Sequence, residues 1–112
     1  MASGIRFLDA EQTARRAEPL KRPDGSPAGE LAVVSDPEQG HPVWAGVWTC
    51  DRRSWSSPFD VDETFHIVAG HLRISADDEV YDLTPGVTAF FPKGLRADWE
   101  VVEPVSAFVV IA

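Results

Sequence analysis

The stretch that decides the fold is Gly70–Val101, GHLRISADDEVYDLTPGVTAFFPKGLRADWEV. It alternates short β-rich runs with compact turn signals. HLRISA and EVYDL flank the acidic pair Asp77-Asp78, which reads as a hairpin turn. Thr84-Pro85-Gly86 makes a corner, VTAFFP forms a further strand, and Pro92-Lys93-Gly94 makes another corner.

Working outward, the same grammar holds from Glu30 to the C-terminus. ELAVVS, VWAGVWTC, RRSWSSPF, ETFHIVAG, ADWEVVE and VSAFVVIA complete a set of about nine strands, separated by Gly, Pro, Asp and Ser. Short strands without intervening helices imply an antiparallel sandwich or barrel, not a parallel α/β sheet. Period-2 geometry puts Trp44, Gly46, Trp48 and Cys50 on one face. It groups Trp55, Ser57 and Phe59, then Glu63, Phe65 and Ile67, and then Ala97, Trp99 and Val101. His66, an odd number of positions from Glu63, faces the other way.

The N-terminal part differs. Asp9 and Gln12 mark a helix start, and AEQTARRAEPL has room for two turns before Pro19 breaks the pattern. KRPDGSPAGE reads as a turn-rich linker. The expected organisation is an arm and linker over residues 1–29 and a single β-barrel domain over residues 30–112.

Composition narrows the function classes. The 112 residues suit one domain, and the net charge of −8 opposes nucleic acid or an anionic membrane as partner. Acids and bases balance at five each through Glu30; beyond it thirteen acids face five bases, so the body is acidic. Cys50 is the single cysteine, which excludes an internal disulfide and fits a reducing compartment. No stretch approaches the roughly 20 apolar residues of a spanning helix, and no signal-peptide core is visible. A cytoplasmic location is expected.

The spacing E-x6-G over Glu63–Gly70, followed by G-x5-P-x-G over Gly86–Gly94, resembles the two motifs of the cupins. The wording WAGVWTC…DETFHIVAG…GVTAFFPKGLRADWEVVEPV is similar to small single-domain cupins grouped with the cupin domain of ureidoglycine aminohydrolase, with Trp99 following the P-x-G corner. Val87 stands where the second motif usually has Asp. The resemblance implies a double-stranded β-helix, an all-β jelly-roll barrel. It also implies a place for metal: many cupins hold a divalent ion with two His and a Glu from the first motif and a His from the second. Anchored on Glu63, those His positions fall on Ser57, Phe59 and Ala97. Phe and Ala offer no side-chain donor, so no metal and no other cofactor is expected. Glu63 with Cys50 or with His66 is the unusual alternative.

What replaces the metal is an aromatic interior. Glu63 is the candidate acid–base group; Trp48, Cys50, Trp55, Phe59 and Trp99 are candidate ligand-binding residues on the inner face. Arg53, Lys93 and Arg96 are expected at a rim, placed to meet a carboxylate. A buried carboxylate needs a partner, and a structural Arg, Tyr81 or an indole N–H would serve as well as a ligand. Three functions follow: a module binding a small polar metabolite, an aminohydrolase- or isomerase-type enzyme using Glu63, or a structural subunit with a vestigial pocket. The expected partners are a small molecule and a second copy of the chain.

Overall fold

The computed structural model describes residues 4–112, and its first helix is capped by Asp9. The Gln12 N–H donates to the Asp9 carboxylate at 2.8 Å, and the Asp9 N–H donates to the Gln12 side chain at 3.0 Å. This reciprocal cap starts helix α1, Ala10–Arg16, where it was expected.

The expected linker is a hairpin instead. Strands β1, Glu18–Lys21, and β2, Pro27–Ser35, pair antiparallel with Glu18 opposite Leu31 and Lys21 opposite Pro27. Arg22 N–H donates to the Ser26 carbonyl, and the Asp24 carboxylate accepts the Ser26 N–H. Pro23-Asp24-Gly25 is thus a chain reversal, which the breaker-rich composition does not distinguish from a spacer. Strand β2 therefore begins before Glu30, and residues 18–21 and 27–29 already belong to the sheet.

The remaining strands are β3 Trp44–Cys50, β4 Arg53–Pro58, β5 Glu63–Ala76, β6 Glu79–Leu83, β7 Thr88–Phe91 and β8 Arg96–Ile111. The total is eight among the described residues: the nine expected from Glu30 on become seven through two mergers, and β1, read as part of the arm, is the eighth. ETFHIVAG and HLRISA are one strand, as are ADWEVVE and VSAFVVIA. Each is bent rather than broken. Gly70 sits at φ +83°, and a side chain there would overlap the Pro104 carbonyl of β8. The register slips at this point, so the ladder turns a corner without ending.

The two bent strands join two sheets. The C-terminal half of β8 pairs with β3, and the N-terminal half of β5 pairs with it and with β7; β2 and β1 extend that sheet. The N-terminal half of β8 pairs with β4, and the C-terminal half of β5 pairs with β6. All pairings are antiparallel, which is the jelly-roll arrangement.

The core lies between the sheets. Phe65, Ile67, Leu72 and Ile74 of β5 are buried against Val101, Val105, Ala107 and Val109 of β8. The shared faces read from the sequence all point inward: Trp48 and Cys50, Phe59, Phe65 and Ile67, and Ala97, Trp99 and Val101 are buried, while His66 is exposed. His66 Nδ1 lies 2.8 Å from the Thr88 hydroxyl on the outer face.

Candidate functional site

The inner face carries a ring-on-ring cluster centred on Trp99. Phe59 packs 4.7 Å from it, and Trp55 stacks on it at 5.4 Å and 17°. Trp48 meets it edge-on at 6.2 Å, and Phe65 lies 5.9 Å away. Beside this cluster is an open cavity of about 350 Å³. Trp44, Trp48, Trp55 and Trp99 line it, with Phe59 and Phe65. Leu20, Ala28 and Leu31 of the β1–β2 hairpin close one side. Its ionisable lining residues are Asp60 and Glu63, both acids.

Glu63 opens β5, opposite Phe91 of β7 and Ile111 of β8. It is half-buried, and among the described residues it has no hydrogen-bond partner. Burial, with the Asp60 carboxylate adding to it, raises its pKa from the ordinary 4.5 to about 7. The structural partners that would have explained it are engaged elsewhere. The Trp48 indole N–H donates to the Ala28 carbonyl at 2.8 Å, and that of Trp99 to the Ser57 carbonyl at 3.2 Å. The Tyr81 hydroxyl donates to Glu79 on the protein surface.

A His-type metal centre does not fit this interior. Ser57 and Ala97 stand directly opposite each other on β4 and β8, beside the buried Phe59 ring. Of these positions only the Ser57 hydroxyl carries a donor, and it lies 3.2 Å from the Pro58 carbonyl. His66 points outward, and the Cys50 thiol contacts the Asp51 carbonyl. Among the described residues no three His, Cys, Asp or Glu side chains converge.

The candidate ligand-binding residues divide into two groups. Trp48, Trp55, Phe59 and Trp99 gather around the cavity with Glu63. Cys50, Arg53, Lys93 and Arg96 are not on its walls. Cys50 and Arg53 border a separate depression; burial pushes the Cys50 thiol pKa up, and Arg53 Nη1 donates to the Pro27 carbonyl. Arg96 is exposed, its side chain opposite in parity to Ala97, beside Ser56 and Asp98. Lys93 is exposed at its corner, where its backbone N–H donates to Asp62 at 2.7 Å.

Asp60 and the hairpin residues are additions that sequence reading missed. Asp60 lies in the loop between β4 and β5, where strand parity says nothing about direction. Leu20 offers a faint signal, as a lone apolar residue in a charged and Pro-rich segment.

The EutQ-like cupin domain model matches residues 37–106. Among solved structures, the Clostridium difficile EutQ protein superposes with a TM-score of 0.68 at 16% identity, covering 96% of this chain and 92% of that one. The EutQ protein of Salmonella typhimurium gives 0.67 at 16% identity over 85% and 92% of the two chains. A Thermotoga maritima protein of the duf861 family gives 0.56 at 30% identity over 59% and 76%. No curated protein matches the chain. These likenesses carry the cupin fold, and not the narrower grouping with ureidoglycine aminohydrolase. Among the described residues no helix is long and apolar enough to cross a membrane.

Proposed function

The chain belongs to the EutQ-like cupin domain family, and from that membership we propose that it binds a small polar molecule in its barrel, through Glu63 and without a His-ligated metal. One observation carries the reading: a half-buried carboxyl without a hydrogen-bond partner faces an aromatic cavity large enough for a small ligand. Partial burial without a partner weakens the hydration of this carboxyl, and a ligand donor at that position would offset the loss. Trp48, Trp55, Phe59 and Trp99 then supply apolar contact area, and Glu63 fixes orientation.

The raised pKa of Glu63 favours a second reading, an acid–base enzyme acting on the bound molecule. A carboxyl that titrates near neutral pH can both take and return a proton.

Thermal denaturation with panels of amines, alcohols, ureides and carboxylates tests the proposal. A ligand at 100 times its Kd adds about 2.7 kcal/mol. The expected result is a class of compounds that stabilises the native chain and leaves Glu63→Gln unmoved. Equal stabilisation of both proteins would overturn it. A bound compound consumed by the native chain and not by Glu63→Gln would establish the enzyme reading.

A further inference from the structure

Resting on the reading of the cavity as a ligand site, we infer that its ligand is a small organic cation, a primary or quaternary alkylammonium. The lining decides the sign of charge. Among the described residues its ionisable groups are the Asp60 and Glu63 carboxyls, and no Lys, Arg or His stands among its walls. The bases expected at a rim lie elsewhere: Arg53 on the Pro27 carbonyl, Lys93 and Arg96 exposed. An anion entering here meets two acids on the walls, and the nearest base, Arg22, stands outside the lining against the Trp55 ring.

The walls point the same way. Aromatic faces carry negative quadrupole density and attract cations without hydrogen bonds, which suits alkylated ammonium groups. Two of the four indole N–H donors on its walls, those of Trp48 and Trp99, are already used on backbone carbonyls, which halves the donors left for an anionic or carbonyl-rich ligand. Trp44 also lines the cavity and has no aromatic ring packed on it among the described residues. The chain itself uses this chemistry at the same cluster: the Arg22 guanidinium sits 5.1 Å from the Trp55 ring centroid.

Binding a cation requires Glu63 as the carboxylate. Asp60 is the other charged group lining the cavity with it, and the neighbouring strands present Phe91 and Ile111 at its level. Since Glu63 titrates near 7, binding below that pH releases a proton, and affinity falls about tenfold for each pH unit below 7. A carboxylate ligand, held by the protonated acid, would show the opposite trend.

The test is calorimetric titration of the full chain at pH 6 and pH 8 with butylammonium, tetramethylammonium, 1-butanol and butyrate. Three proteins are compared: native, Glu63→Gln, and Glu100→Gln, which removes an equal charge from the outer face. The expected result is ammonium binding that is at least tenfold tighter at pH 8, with proton release at pH 6. Glu63→Gln should lose the pH dependence and at least tenfold in affinity, and Glu100→Gln should change little. Should Glu63→Gln fail to fold, Asp60→Asn is expected to weaken ammonium binding in the same direction. Butyrate or butanol binding as well as the ammonium compounds would overturn the cation assignment while leaving the ligand site standing. An effect of Glu100→Gln equal to that of Glu63→Gln would reduce the cation preference to overall charge. If no compound of any charge binds, the ligand-site reading itself fails.

Discussion

Replacing Glu63 by Gln should stabilise the protein at pH 8 and leave it nearly unchanged at pH 4. Glu63 is an acid whose folded pKa, about 7, lies above its ordinary 4.5. Between those values the folded state holds a proton that the unfolded chain has lost. Stability therefore falls as pH rises through the window, and the penalty is complete above pH 7. At 1.36 kcal/mol per pH unit the full window corresponds to about 3 kcal/mol. Partial hydration of a half-buried group brings the expected gain to about 1–3 kcal/mol. Gln is neutral and nearly the same shape, so it escapes this penalty at every pH. The assay is urea unfolding at one-unit steps from pH 4 to pH 8, followed by the fluorescence of the four Trp residues. The midpoints of the two proteins should coincide at pH 4 and separate progressively, by roughly 1 M urea at pH 8. Titration of other groups cancels in the difference, apart from the coupling to Asp60. A difference that stays flat across the range would refute the reasoning: Glu63 would then be as well solvated or paired in the fold as in the open chain.

Gly70→Ala should cost several kcal/mol in urea unfolding, because a positive φ and an overlap with the Pro104 carbonyl coincide at the bend of β5; a loss under 1 kcal/mol would mean that the corner yields freely. Metal analysis of protein purified without a His tag should find far less than one equivalent of transition metal, given Phe59 and Ala97 at the implied ligand positions; a stoichiometric ion would overturn that reading. We propose that the chain is a homodimer. Val68, Phe90 and Phe108 are exposed on the outer faces of adjoining strands β5, β7 and β8, and the arm presents Phe7 at 70% exposure. Sedimentation should give twice the monomer mass at micromolar concentration and the monomer mass for Phe90→Asp; a native monomer there would refute it.

Much of the barrel is legible locally. Parity within a strand is covalent geometry, so which of Trp48, Phe59, Phe65, Ala97 and Trp99 share faces with their neighbours, and that His66 opposes Glu63, follow from position; that those faces point inward came from the resemblance to the cupin motifs. The Asp9–Gln12 cap is equally local, because both partners lie within one helical turn. The spacing of Glu63 to Gly70 places that carboxyl inside the barrel by resemblance. Long-range pairing decided the rest. Whether Gly70 ends a strand or bends it depends on Pro104, more than thirty residues away, whose carbonyl leaves no room for a side chain. Whether KRPDGSPAGE spans or reverses depends on Leu31 lying opposite Glu18. The site's charge also emerged only in three dimensions. Arg53, Lys93 and Arg96 are near Glu63 in the order of motifs, but their strand faces and corners turn them away from the cavity. Asp60, in a loop without period, turns toward it. Glu63 lacks a hydrogen-bond partner among the described residues for the same reason: Trp48, Trp99 and Tyr81 each found an acceptor elsewhere, a competition among distant groups that no short stretch of sequence encodes.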